Sequence, residues 1–179
     1  YRNTFLRTKP ITQPSDFAGV KIRLPEAPVF VRTFKALGAL PTPIPAPEMY
    51  TALQTGVVDA MEGSNEVAYT FKIFEVTKYM SRTQHILLDG SFVIGATAFA
   101  GLDAGQQAAL GKAAAEAAAW QRQQHFARAK DWMDKLTAAG TLTVNDPDLP
   151  AFAKTLGALQ DDFAAAAKAT DLLAKIRAA

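Results

Sequence analysis

The chain has 179 residues, 49% apolar and 20% charged, and its nineteen basic and seventeen acidic residues leave a net charge of +2. That length suits one domain or two small lobes around a sizeable core, and the scattered charge offers no basic block for nucleic acid or a membrane surface. The absence of cysteine removes disulfides, thiol catalysis and cysteine-based metal sites, and no apolar run approaches the roughly 18–20 residues of a membrane span.

The opening YRNTFLR alternates loosely and predicts a short strand. Pro10 and Pro14, followed by Ser15 and Asp16, predict a loop and a helical turn. VKIRL, residues 20–24, predicts a second strand that stops at Pro25 and Pro28. Phe30, Phe34 and Leu37 then recur at helical spacing, and Gly38 closes that helix. Prolines 41, 43, 45 and 47 force an extended backbone without amide donors, so the segment suits a rigid connector or an edge strand. Pro47 and Glu48 suit the first turn of a helix that runs through Tyr50 and Leu53 to Gly56.

VVDAMEG predicts a short apolar strand ending in acids and a glycine. Residues 64–80 have a helical period, with Ser64 as the cap. Residues 82–90 and 91–101 predict two strands separated near Asp89 and Gly90. From Leu102 the chain becomes alanine-rich and free of proline. Asp103 and Gln106 suit a capping box, and a single helix is expected from Asp103 to Ala139, ended by Gly140. At about 1.5 Å per residue it would reach about 55 Å, longer than one small lobe. TLTV predicts a short strand. A helix then starts at Asp148 or Leu149, with Phe152, Leu156, Leu159 and Phe163 on one face, and a last helical stretch holds Leu172, Leu173 and Ile176.

The chain carries no HExxH, P-loop or GxGxxG pattern, and Ser91 lacks the glycine spacing of a nucleophile elbow. No cofactor or metal is called for. The two histidines are forty residues apart; His85 reads as a core or hydrogen-bonded strand residue and His125 as a solvated helix residue. Asp59 and Glu62 are two carboxylates at a strand end, either bracing a loop, walling a polar cleft or forming an acid/base pair. Tyr50, Phe71, Phe74 and Tyr79 read as core residues. Tyr69 and Phe92 lie beside polar loop segments, where lining a pocket is the alternative. Arg23 is the sharpest feature. Its guanidinium is a rigid fork matched to a carboxylate, and the competing reading is an internal salt bridge to Glu26.

The pieces KPI, DFAGVKIRLPE, FKALGALPTPIPAPEMYTALQTGVVD and FEVTKY, followed by His85, resemble the solute-binding proteins of tripartite ATP-independent periplasmic (TRAP) transporters, in order and spacing over about the first 90 residues. The resemblance implies an α/β, periplasmic-binding-protein-like two-lobe fold, here largely one α/β lobe plus a long helix and C-terminal helices. Residues 1–90 would form the second lobe with the carboxylate motif. Residues 91–179 would supply a return strand, the long spanning helix and the closing helices.

The implied function is non-enzymatic: periplasmic capture of a small organic acid for the TRAP membrane subunits, or ligand binding for a sensory system. Arg23 stands at the position that pairs with the ligand carboxylate, and Arg2 at the position of an assisting arginine. Glu26 falls among pocket positions. Glu62 precedes Gly63, where relatives often carry an asparagine, so that contact is absent or comes from Ser64 or Asn65. The chain resembles the C-terminal part of longer members, which leads to the expectation that the N-terminal part of the first lobe is absent and that the chain binds weakly, not at all, or only by pairing with another chain, as a dimer or domain swap.

Overall fold

The computed structural model describes residues 1–138 and 142–178. Six strands form one sheet: β1 (Arg2–Leu6), β2 (Lys21–Leu24), β3 (Leu40–Pro43), β4 (Ala60–Gly63), β5 (Tyr79–Ile86) and β6 (Thr143–Asn145). Their order is β3-β2-β4-β1-β5-β6. β1 is antiparallel to both neighbours, while the β2–β3, β2–β4 and β5–β6 pairs are parallel. The five parallel strands therefore share one direction, and the amino end of β1 meets their carboxyl ends at one edge of the sheet. β3, the proline-spaced segment, lies at the outer edge, where its missing amides cost no ladder bonds.

Side-chain alternation divides the core into two layers. On one face Leu6, Ile22, Leu24 and Ala60 pack under Phe30 and Phe34 of α1 (Pro28–Ala36), under Leu37 just after it, and under Phe152 and Leu156 of a later helix. Phe17, from a 3-10 turn at Pro14–Phe17, meets Phe34 and Phe152 edge-on, with ring centroids 5.4 and 6.0 Å apart. On the other face Phe5, Met61 and Met80 pack against Met49, Ala52 and Leu53 of α2 (Met49–Thr55). Gly38 and Gly56 close α1 and α2 at φ of 81° and 79°, a conformation that suits glycine.

The chain departs from the sequence expectation at three places. The helix expected over 64–80 stops early: α3 covers Asn65–Thr70, Lys72 turns left-handed at φ 54°, and a 3-10 turn at Ile73–Glu75 leads into β5, which starts at Tyr79 rather than Arg82. The strand expected over 82–90 therefore begins earlier and ends at Ile86. Residues 91–101 contain no strand. Residues 87–95 run as exposed coil, and α4 (Ala96–Ala100) follows.

The long helix is present as α5 (Ala104–Ala138), started by the expected box: Gln106 N–H donates to Asp103 Oδ1 at 2.8 Å, and Asp103 N–H donates to Gln106 Oε1 at 3.0 Å. Its expected last residue Ala139, the stop at Gly140 and the start of TLTV at Thr141 lie outside the described residues. α6 (Leu149–Ala166) is capped by Asp148, whose Oδ1 accepts from Ala151 N–H, and α7 (Thr170–Ala178) ends the description. β6 extends the sheet beside β5 and α6 covers its first face, so residues from both sides of position 90 build one core.

Candidate ligand-binding site

The edge where the carboxyl ends of β2, β4 and β5 meet the amino end of β1 gathers the charged buried residues. Open α/β sheets bind ligands at such an edge. Arg2 begins β1, and Glu62 lies two residues along the neighbouring strand's register, opposite Thr4. Both project from the same face. Arg2 Nε donates to Glu62 Oε2 at 2.5 Å, and Nη2 donates to Oε1 at 2.7 Å and to the Glu62 carbonyl at 3.3 Å. Glu62 is fully buried and Arg2 only 8% exposed. The guanidinium also lies 5.2 Å from the centre of the Phe30 ring.

His85 completes this network. The β1–β5 register shifts between Arg2 and Thr4, making a bulge in β5 at which Gln84 adopts φ 44°. The bulge carries His85 to Glu62, with Nε2 3.3 Å from Oε2, and its Nδ1 lies 2.8 Å from Thr83 Oγ1, which in turn reaches Thr4 Oγ1 at 3.0 Å. Burial, only partly opposed by Glu62, pushes the His85 pKa down. The His85–Glu62 contact is therefore a hydrogen bond from a neutral imidazole rather than an ion pair. Burial alone would raise the Glu62 pKa, but the hydrogen bonds from Arg2 and His85 and the charge of Arg2 outweigh it and hold the carboxyl below its usual range.

Arg23 sits one strand away, opposite Met61, and so projects from the other face of the sheet. It is 5% exposed. Its Nε donates to the Ile44 carbonyl at 2.8 Å, and among the described residues no carboxylate pairs with it. Burial lowers its pKa, Glu62 raises it and Arg2 lowers it further. The expected alternative, a salt bridge to Glu26, does not form; Glu26 is exposed in the turn after β2. Asp59 and Glu62 do not act as a pair either. Asp59 Oδ2 accepts from Lys21 N–H at 3.1 Å and braces the other end of β4, while Glu62 is committed to Arg2.

The remaining candidates separate. Gly63 is buried, and a Cβ there would come within 2.6 Å of the Met61 terminal methyl, so Met61 fills part of the space that a side chain would take. Ser64 caps α3 by accepting from Val67 N–H at 3.3 Å. Ser64 and Asn65 line a cleft of about 240 Å³ with Asn3, Arg82, Gln84 and Trp132. Asn3 Nδ2 donates to Asn65 Oδ1 at 3.1 Å, and Asn3 Oδ1 accepts from Gln84 N–H at 3.4 Å, tying the cleft to the bulge. Tyr69 is packed between Phe74 and Trp132, with Lys135 over its ring. Phe92 stands exposed on the coil before α4. No group of metal-ligating residues occurs among the described residues, and none of the described helices is long and apolar enough to cross a membrane.

Sequence reasoning missed His85, Thr83 and Asn3 as parts of the site. Their roles depend on the β5 bulge, for which the only local sign is a run of polar residues, RTQH, inside a strand.

The profile of the bacterial extracellular solute-binding protein family 7 matches residues 2–166. The chain belongs to that family. It is 36% identical over 148 residues to the 2,3-diketo-L-gulonate-binding periplasmic protein of Escherichia coli (strain K12), covering 83% of this chain and 45% of that protein. The structure is similar to part of a TRAP periplasmic solute-binding protein from Sulfitobacter sp. NAS-14.1 with bound β-D-galacturonate, at a TM-score of 0.88 and 30% identity, covering 99% of this chain and 59% of that one. A second such protein, from Roseobacter denitrificans with bound β-D-glucuronate, gives a TM-score of 0.84 at 30% identity, covering 92% and 55%. The chain spans about half the length of the curated relatives it matches. The family is one of substrate-binding transport proteins.

Proposed function

We propose that this chain is the carboxylate-gripping part of a periplasmic solute-binding protein that captures a small organic acid, a sugar acid of the uronate kind, and delivers it unchanged to TRAP membrane subunits for secondary active uptake. The observation that carries this reading is Arg23: a buried guanidinium, fixed through Nε to the Ile44 carbonyl, with no carboxylate paired to it among the described residues. Removing a cation from water without a counter-ion is costly, so the position favours an incoming anion. The relatives named above bind galacturonate, glucuronate and diketogulonate, each of which carries a carboxylate. In this reading residues 1–90 supply the second lobe and residues 91–179 the long helix and closing helices.

Ser64 and Asn65 would face the ligand from the cleft, and Glu26 from the turn after β2, where it suits hydroxyl groups. Gly63 leaves the Met61 methyl on that wall. Arg2 would assist only through the part of its guanidinium that Glu62 leaves free. Tyr69 contributes from behind, by holding α3, and Phe92 from the coil before α4. No observation favours the dimer, the domain swap or the sensory alternative.

The test is ligand-induced thermal stabilisation by D-galacturonate and D-glucuronate, with whatever the gene encodes before Tyr1 included. Losing one partner of a buried charge pair costs roughly 2–5 kcal/mol, so Arg23→Ala is expected to weaken binding by about 30-fold or more. Full stabilisation of Arg23→Ala by the same acids would refute the anchoring role.

A further inference from the structure

Gly63 offers the site no side chain, and the Met61 terminal methyl fills part of the space beside it. Met61 lies opposite Arg23 in the β2–β4 pair, and Gly63 follows on the same face. β4 therefore presents no polar side chain on the face from which Arg23 projects. Across the next ladder Gly63 is paired with Asn3, so Asn3 projects from that face as well. Two strand spacings of about 4.8 Å and two residues of about 3.3 Å put Asn3 about 12 Å from Arg23 at the backbone. A six-carbon acid with a hydrogen bond at each end closes such a gap.

Asn3 is only 6% exposed, yet it lines the cleft with Asn65, Gln84 and Trp132. A carboxamide can donate two hydrogen bonds and accept two. Among the described residues Asn3 makes one of each: it donates to Asn65 Oδ1 at 3.1 Å and accepts from Gln84 N–H at 3.4 Å, which is long for such a bond. Asn65 spends its Oδ1 on this pair, and its Nδ2 has no partner among the described residues. A hydroxyl both donates and accepts, so it matches the open donors and lone pairs of the two amides. The cleft does not favour an anion in the same way. Arg82 on its wall is paired with Asp146, and Glu66 lines it too. The Trp132 ring, 5.6 Å from the Tyr69 ring, adds an apolar face suited to the C–H side of a sugar ring.

We propose that Asn3 is a specificity-determining residue: with Asn65 it reads the hydroxyl groups of the acid whose carboxylate Arg23 holds. This rests on the organic-acid reading above and assigns the other end of the ligand. The plain alternative is that Asn3 only ties α3 to the β5 bulge.

Uronates and a matched acid without hydroxyls separate these roles. D-galacturonate and D-glucuronate carry a six-membered ring, a carboxylate and hydroxyl groups; cyclohexanecarboxylate keeps the ring size and the carboxylate alone. Isothermal titration calorimetry, run by competition for the weaker acid, uses the protein with any preceding segment the gene encodes. At least one uronate is expected to bind about a hundredfold or more tightly than cyclohexanecarboxylate. Asn3→Ala is expected to weaken that uronate by about tenfold or more and to leave cyclohexanecarboxylate within about threefold, so that the preference narrows. A merely structural Asn3 would weaken both acids alike.

Asn3→Leu keeps most of the side-chain volume without the amide and is expected to narrow the preference in the same way. It carries the test if Asn3→Ala does not fold. A variant that folds and keeps the uronate affinity, or loses both acids in equal measure, would overturn the inference while leaving the organic-acid reading intact. So would equal binding of uronate and cyclohexanecarboxylate by the wild type. If neither uronate binds, the organic-acid reading itself falls, and this inference with it.

Discussion

The sheet-bearing part, residues 1–86, and the helical part, residues 87–178, are held in shape by different forces. Nearly every buried large side chain belongs to the first, from Phe5 to Met80, and the second adds to the core chiefly Leu136, Phe152 and Leu156. Beyond those anchors Val93 is 89% exposed, Trp120 61% and Phe126 73%. Over most of its length α5 is nonetheless one uninterrupted helix. Alanine has the highest intrinsic helix propensity, and Lys112–Glu116 and Lys130–Asp134 lie one turn apart at 3.9 and 2.6 Å. The contrast separates secondary structure made by burial from secondary structure made by local preference. It also explains where the candidate site lies, because among the described residues the buried guanidiniums, Arg2 and Arg23, stand on the sheet.

The largest expected effect tests that separation directly. Phe34 is fully buried, and its ring meets Phe17 and His85 edge-on at 5.4 and 5.1 Å. Phe34→Ala should cost about 3–5 kcal/mol in denaturant unfolding. Trp120→Ala, an equally large deletion on the exposed middle of α5, should change stability by no more than about 0.5 kcal/mol. Comparable losses from the two would mean that α5 is packed and that the distinction is wrong.

The same contrast explains what could be read without coordinates. β1, β2, α1 and α2 were legible because their limits are local: Pro25 stops β2, and Gly38 and Gly56 end α1 and α2 in a conformation that favours glycine. The end of α3 was not, because Lys72 makes the left-handed turn with no glycine or proline to mark it. The run from Ser91 to Gly101 suggested a strand, yet Phe92 to Ile94 stand exposed in coil, since an apolar run cannot report whether anything pairs with or covers a segment. At the candidate site, Arg23 could be singled out in the sequence because it stands near the end of a strand that Pro25 stops, and the structure buries it there; its ligand role remains the proposal made above. The Arg2–Glu62 pair could not be singled out, because it depends on a β1–β4 register between residues sixty positions apart.

Acid should act on the sheet part first. Folded His85 holds its proton less tightly than its ordinary 6.5, because burial disfavours the imidazolium. The unfolded chain therefore binds more protons below that pH. This contribution to stability is present above about pH 6.5 and is lost as pH falls, by up to about 1.4 kcal/mol per pH unit until folded His85 itself protonates. Glu62 is also depressed, from an ordinary 4.5, so its contribution is present above that value and is lost as pH falls through its lower folded pKa. Unfolding free energy measured from pH 7.5 to 3.5 should fall in both ranges, and His85→Gln should flatten the upper one. A profile unchanged by that substitution would show that His85 does not carry the upper step.

The smallest effect sharpens the comparison most, because it sets like chemistry in unlike surroundings. Ser64 caps α3, which packs on the sheet; Asp103 caps α5, whose first turns are exposed. Losing a cap costs about 1 kcal/mol in either case, but where the loss appears should differ. α3 unfolds with the sheet, so Ser64→Ala should lower global stability by about that amount in denaturant unfolding. The first turn of α5 has only its own box and the bonds from Gln107 to the Phe99 and Leu102 carbonyls, both at 3.0 Å. Asp103→Ala should therefore speed hydrogen exchange at the first α5 amides while moving global stability by less than about 0.5 kcal/mol. If Asp103→Ala lowered global stability as much as Ser64→Ala, the long helix would be part of the cooperative core, and its alanine-rich sequence would be no sufficient reason for its length.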